Sequence, residues 1–429
     1  MEFCSEKELT NQTGHERDDW PLVVLKELAD NSLDACEEAG VPPEISVTVD
    51  PSGIAVSDNG PGLPAETIEG VLDYTVRASS REAYIAPDRG AQGNALKTIL
   101  PMPFVLSGGD PGRVDISANG QRHEIVFRVD PIHQEPVVDC SVSPAAKAKN
   151  GTTIKVWWPD SASSIIEESK GRFLQIAEDY TFLNPHLSLT VDWLGEVTKT
   201  PATTPAWEKW RPSNPTSPHW YAAEHFERLV SAYIAHDQDR GGDRLVREFV
   251  REFRGLTGSA KQKKVLDDTG LSRTHLSELA NGEGLQHEVT ARLLGSMRKH
   301  TKPVKPAQLG IIGKDHLAQR FAEHGCEMAS FQYKKILDVD DDGLPVVIET
   351  AFGWKGEFSA DVRRIITGVN WSPGIVNPFR TLGKSYGDGL AALLSEKYAG
   401  PNEPIIFLLH CACPRVQYRD RGKSSVVIK

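Results

Sequence analysis

The stretch LKELADNSLDACEEAG, residues 25–40, constrains the fold most. Leu25, Leu28, Leu33 and Cys36 recur at helical spacing and form an apolar side. Glu27, Asn31 and Asp34, at i, i+4 and i+7, share the opposite side. A helix over about 21–39 with so continuous an apolar side needs a sheet or another helix to lie on. Its polar side is either a solvated face or a row of ligands, and the helix alone does not decide between them.

The flanking sequence supplies the sheet. EISVTVD and IAVSD alternate around the tight turn PSG, and RVDISANG, HEIVFRVD and TTIKVWW continue the alternation to about residue 158. Helices are expected near 65–75 and from about 93. Strands grouped with helices in this order predict an α+β, two-layer sandwich. The proline-rich stretch 200–220 breaks the pattern, and 221–300 reads as helical with no convincing strand. TKPVKPAQLG makes a second break, after which GLPVVIETAFGW and EPIIFLLHCACPRVQY read as strands with a helix around 385–398 between them. A chain of 429 residues is too long for one ordinary core. Three units are expected: 1–220, 221–312 and 313–429.

Composition excludes several classes. No run approaches the roughly 18–20 apolar residues of a membrane helix, and the polar start MEFCSEKELTNQTGHERDDW has no signal core, so cytoplasm and no membrane are expected. The six cysteines are scattered and read as reduced, mostly buried thiols; Cys411 and Cys413 are close, but nothing nearby completes a metal site. The thirteen histidines show no H-E-x-x-H spacing, so a catalytic zinc site is not expected. With a net charge of −11, contact with nucleic acid has to be local. Residues 240–264 carry eight cations against three acids, and 292–305 carry five cations and no acid. VLDDTGLSRTHLSELANGEG reads as a helix–turn–helix with Ser272, Arg273 and Thr274 opening a recognition helix, or as a buried bundle with a solvated basic edge.

Two further motifs bear on the polar row of the first long helix. Asp58-Asn59-Gly60-Pro61-Gly62 follows a strand, where a carboxylate accepts from an exocyclic amine and glycines let a flat base approach. Gly90-x-x-Gly93-x-Ala95 leads into a helix, an arrangement that turns backbone N–H groups toward phosphate oxygens. Each motif alone is also an ordinary turn or cap. The sequence of E-x-x-x-N-x-x-D-A, then D-x-G-x-G, then G-x-x-G-x-A, then Gly151-Thr152-Thr153 resembles the nucleotide-binding signature of the GHKL ATPases. Within that superfamily KELADNSLDACEEAGVPPEISVTV and VRASSREAYIAPDRGAQG resemble the B subunit of type IIB DNA topoisomerase, topoisomerase VI. So do DRLVREFVREFRGLTGSAKQKKVLDDTGL and QLGIIGKDHL, as its helix–two-turn–helix insert, and GLPVVIETAFGW and PIIFLLHCACPRVQYRDRGKSSVVIK, as its transducer.

The resemblance implies a GHKL (Bergerat) α/β sandwich, a helical insert and a transducer-like α/β domain. It implies ATP and Mg²⁺ as ligands, with Glu27 as general base and Asn31 as the Mg²⁺ ligand. Asp34 lies on the same row, and Asp58 reads adenine with Gly60 and Gly62 giving it room. Ser79, Ser80 and Arg81 belong to a lid; Arg89, Gly90, Ala91, Gln92, Gly93, Asn94, Ala95, Leu96 and Lys97 wrap the phosphates. Thr152 or Thr153 supports the aspartate or its water, and Lys423 reaches the γ-phosphate from the transducer. The chain departs from the pattern at Ala95, where the family's last loop glycine stands, and it ends six residues after Lys423, where a long transducer helix follows in the family. The resemblance therefore reaches the ATPase more directly than strand passage. It further implies a homodimer on ATP binding, with residues 1–20 reaching to the partner, double-stranded DNA as a ligand, and a separately encoded A-like cleaving subunit. The alternatives are a stand-alone ATP-gated clamp without a cleaving partner, a DNA-binding interaction protein with weak ATPase, and, less compatible with this motif order, a histidine kinase.

Overall fold

The computed structural model describes all residues except 1–3, 75–82, 90–94, 131, 134, 146–149, 283, 357–361, 383–388, 420–424 and 428–429. Helices α1 (Glu6–Thr13) and α2 (Trp20–Ala39) come first, then strands β1 (Glu44–Asp50) and β2 (Gly53–Ser57). Helices α3 (Ala65–Leu72), α4 (Ala95–Ile99) and α5 (Met102–Ser107) follow. Next are β3 (Gly112–Ala118), β4 (Gln121–Val129), β5 (Pro136–Pro144) and β6 (Thr152–Trp157). Helix α6 (Ser163–Leu183), β7 (Ser188–Trp193) and β8 (Glu196–Thr200) complete the first layer pair. The eight strands form one sheet in the order β5-β4-β3-β6-β2-β1-β7-β8. All neighbours are antiparallel except β1 and β7.

Helix α2 lies on this sheet for the reason its sequence gives. Leu25, Leu28, Leu33 and Cys36 are all buried, and they meet Ile45, Val47 and Val49 of β1 and Ile54 and Val56 of β2. Each such side chain taken fully out of water contributes roughly 1.5–3 kcal/mol, so the helix is anchored along its length. Pro21 in its first turn needs no N–H partner there. Helix α6 packs beside α2 on the same face, with Phe173, Ile176, Ala177 and Tyr180 buried.

The next part of the chain is helical: α7 (Ala223–Asp239), α8 (Val246–Arg251), α9 (Ser259–Thr269) and α10 (His287–Lys299), with a two-stranded ribbon of β9 (Ala280–Asn281) and β10 (Gly284–Leu285). The ribbon is a small exception to the strand-free expectation. The recognition helix expected from Ser272, Arg273 and Thr274 does not form. Ser272 and Arg273 lie in a turn, followed by a single 3₁₀ turn over Leu276–Leu279. That turn is closed when His275 N–H donates to Glu278 Oε1 (2.7 Å), and burial of Leu276 and Leu279 pins it. The chain therefore passes from α9 to α10 through two successive turns. Part of the positive charge is also spent internally. Arg244 donates to Asp237 and Glu252 and stacks 4.5 Å from the Tyr233 ring, Lys299 pairs with Asp268, and Arg298 donates to the carbonyls of Pro218 and Tyr221.

Helix α11 (Lys314–Glu323) leads into β11 (Gln332–Val339), β12 (Pro345–Trp354), β13 (Arg364–Val369), β14 (Ser372–Pro373), α12 (Gly389–Glu396) and β15 (Ile405–Ala412). They make a second sheet, β11-β12-β15-β13-β14, in which only β13 and β15 are parallel. One apolar core joins this sheet to the middle helices: Ile366, Leu408 and Val347 share it with Phe249, Leu293 and Phe321, and Phe182 and Leu183 enter it from the end of α6. Arg364 of β13 crosses to Glu178 and Asp179 of α6 at 2.5 and 2.6 Å. Among the described residues, no helix is long and apolar enough to cross a membrane.

Candidate nucleotide site

Asp58 sits just past the end of β2, held by backbone and side chain alike. Its N–H donates to the Thr152 carbonyl at 2.9 Å, and its Oδ1 accepts from Gly60 N–H (2.9 Å) and Thr152 N–H (3.1 Å). Ser32 of α2 donates to Oδ2 at 3.2 Å, leaving acceptor capacity on that oxygen. Burial pushes this carboxyl above its usual range, and the three donors work against that shift.

The backbone around Asp58 leaves no room for side chains. At Gly151 (φ +103°) an added Cβ would stand 1.8 Å from the Asp58 carbonyl oxygen, and at Gly62 (φ +84°) it would stand 2.5 Å from Asn119 Oδ1. Gly151→Ala is therefore expected to cost roughly 2–4 kcal/mol by denaturant unfolding, combining left-handed strain with overpacking. Thr152 and Thr153, undivided by the sequence, separate here. Thr152 Oγ1 accepts from Leu63 N–H (3.0 Å) behind the glycine loop, while the Thr153 hydroxyl bonds that of Ser57 (2.8 Å).

The polar side of α2 splits into two rows. Lys26, Asp30, Asp34 and Glu37 form one, and every member is engaged. Lys26 pairs with Asp30 at 2.7 Å, Asp34 with Arg89 at 2.5 Å, and Glu37 with Arg89, Lys209 and His186 at 2.7, 2.8 and 3.0 Å. Glu38 accepts from Ser213 N–H at 2.7 Å. Glu27 and Asn31 form the other row, and neither makes a hydrogen bond or ion pair with any described residue. Asn31 is exposed and Glu27 half-buried. Ser32, the residue after Asn31, touches Asp58, so Glu27 and the Asp58 contact lie about 7.5 Å apart along the helix axis.

Other residues of the expected site have different company. The Arg89 guanidinium is fully buried and is shared by Glu37, Asp34 and Asn184 Oδ1 (2.6 Å). Asp34 thus leaves the row of Glu27 and Asn31 for this ion cluster. Glu37 is held well below the ordinary carboxylate range by Arg89 and Lys209 against the pull of burial. Leu96 is buried in the first core, and Lys97 Nζ donates to the Asp73 carbonyl at 2.8 Å. Ser79, Ser80, Arg81, Gly90, Ala91, Gln92, Gly93, Asn94 and Lys423 lie outside the described residues, as does the side chain of Ala95. Glu37, Asn184, His186 and Lys209 escaped the sequence reading. The spacing of Lys26, Asp30, Asp34 and Glu37 at i, i+4, i+8 and i+11 was the available signal for their row.

No family model matches the chain. The B subunit of type 2 DNA topoisomerase 6 from Archaeoglobus fulgidus is 24% identical over 94% of this chain and 66% of its own length. The protein of the same name from Thermococcus kodakarensis is 24% identical over 90% and 68%. A shorter match, to that of Pyrococcus horikoshii, is 33% identical over 31% of this chain and 24% of the relative. The chain spans about two thirds of the length of the curated relatives it matches end to end. Among solved structures, the ATPase region of Saccharomyces cerevisiae topoisomerase II aligns with 95% of this chain and 76% of its own at 10% identity and a TM-score of 0.40. Along nearly its whole length the chain resembles the B subunit of topoisomerase VI, and its first sheet with α2 and α6 is the α/β sandwich expected of a GHKL-superfamily ATPase.

Proposed function

We propose that the chain binds and hydrolyses ATP as the B-type subunit of a topoisomerase VI-like enzyme, closing two protomers around DNA when ATP binds. The observation that carries this is the pair Glu27 and Asn31. They alone among the polar residues from Lys26 to Glu38 on α2, Ser32 and Cys36 included, have no described hydrogen-bond or ion-pair partner, and they stand beside Asp58. A free amide and a free carboxylate on a rigid helix are what a polyphosphate and its attacking water need. Phosphoryl transfer depends on positioning and charge neutralisation more than on covalent help.

In this reading Asp58 accepts from the adenine amine, fixed for that task by Gly60, Thr152 and Ser32. Glu27 orients the attacking water and takes its proton. Asn31 fits Mg²⁺ as a single exposed amide oxygen, a cation that keeps most of its ligands as water and phosphate. When bound there, Mg²⁺ supplies neutralisation of phosphate charge. The lid residues Ser79, Ser80 and Arg81, the phosphate loop from Gly90, and Lys423 complete the site. We assign 1–220 to the ATPase domain, 221–312 to the helix–two-turn–helix insert and 313–429 to the transducer. Double-stranded DNA and an A-like cleaving subunit are its partners, as the names of the relatives suggest.

Light scattering of the chain tests the gating. Mg²⁺ and a non-hydrolysable ATP analogue are expected to convert monomer to dimer, and Asn31→Ala to abolish the change. A mass unchanged by nucleotide at saturating occupancy would replace the clamp by a non-gating binder.

A further inference from the structure

Lys26 directly precedes Glu27 and has two carboxylates to choose between, Glu27 beside it and Asp30 one turn along. The two charges attract each other, yet the ammonium sits on Asp30 Oδ2 at 2.7 Å. What completes its seat comes from the second sheet. Lys26 Nζ also donates to Ser372 Oγ at 2.5 Å, and Ser372 donates to the same Asp30 Oδ2 at 2.7 Å, closing a three-cornered ring. Tyr180 of α6 occupies the other Asp30 oxygen at 2.8 Å and reaches the Lys26 carbonyl at 3.0 Å.

Ser372 is delivered by a rigid turn. Asn370 and Trp371, both at positive φ, link β13 to β14. Trp371 is fully buried, its N–H donates to His410 Nε2 (3.1 Å), and its carbonyl accepts from Asn184 Nδ2 (2.9 Å). Asn370 bridges the two parts of the molecule, donating to the Asp88 carbonyl (3.0 Å) and accepting from Cys413 N–H (2.9 Å).

We propose that Ser372 is a positioning residue for Glu27: by holding the Lys26 ammonium on Asp30, it keeps the neighbouring Glu27 carboxylate free of an ion pair and open to water. This rests on Glu27 being the water-activating base. A carboxylate captured by an ammonium is a weaker base and is turned away from the water. Seating of the second sheet against α2 thereby becomes a condition for turnover, through a contact separate from Lys423.

The test is steady-state ATP hydrolysis by the full chain carrying Ser372→Ala, Ser372→Cys or Ser372→Thr, each with and without Glu27→Gln. Cys is nearly isosteric with Ser and a poor hydrogen-bonding substitute; Thr keeps the hydroxyl. Ala and Cys are expected to lower kcat roughly tenfold, the scale of a lost hydrogen bond to a charged group, with KM within about twofold. Thr is expected to retain activity, and the Ala and Cys decreases to vanish in the Glu27→Gln background. Unchanged kcat in folded Ala or Cys variants, a decrease that Thr shares, or a decrease that persists without Glu27 would overturn the proposal. Absence of turnover in the wild type would overturn the ATPase reading as well. Turnover that Glu27→Gln abolishes and the Ala and Cys variants leave intact would overturn this proposal alone.

Discussion

Glu27→Gln is expected to lower ATP turnover by roughly 10²–10⁴-fold, the contribution of a positioned general base, while nucleotide affinity stays close to that of the wild type. The split follows from geometry. Glu27 makes no hydrogen bond or ion pair with any described residue, so replacing its carboxylate by an amide removes no internal contact and leaves α2 seated on the sheet. Asp58, with its donors Gly60, Thr152 and Ser32, is untouched by the change. Single-turnover hydrolysis beside equilibrium nucleotide binding checks this. Equal losses in both would mean that Glu27 supports the fold or the ligand rather than the proton transfer.

Arg89→Ala is expected to destabilise the chain by roughly 3–5 kcal/mol, the range for breaking a buried ion pair from one side. The value falls toward the lower end because Lys209 remains 2.8 Å from Glu37. Arg89 ties together α2, the end of α6 and the segment before α4, so its loss loosens three elements at once. The pH dependence has a definite sign. Glu37 titrates well below its ordinary value of 4.5 in the folded chain. Its contribution is therefore complete above the unfolded value and is lost as pH falls through the folded one. The gap between wild type and Arg89→Ala is expected to be full at neutral pH and to shrink below about 4.5, measured as denaturant midpoints across that range.

The local patterns in the sequence reached the structure well. Helix α2 runs Trp20–Ala39 against an expected 21–39, because its apolar side and the glycine after it are both local signals. The DNGPG loop stands at a strand end as alternation required. Strand β5 and the outer strands β8 and β11 went unread because their side chains are mostly exposed and carry no alternation of burial. Helix α6 went unread although it is half of the layer on which α2 leans. At the site, Asp34 shares a helix face with Asn31 by spacing, and only a partner 55 residues away draws it into the ion cluster. Ser372 meets Asp30 across 342 residues, a separation at which no periodicity speaks. The recognition helix read from Ser272, Arg273 and Thr274 failed for another reason. Two buried leucines held by one 3₁₀ turn fit the same spacing as a short helix.

The most direct test is calorimetric titration of the chain with a non-hydrolysable ATP analogue and Mg²⁺, beside Asp58→Asn. Asn keeps the size of Asp58 but presents an amine where the adenine amine needs an acceptor. A nucleotide site built on α2 and the β2–β6 loop predicts saturable binding at one site per chain, lost or weakened at least tenfold in the folded variant. No binding to the wild type, or equal binding by Asp58→Asn, would contradict it.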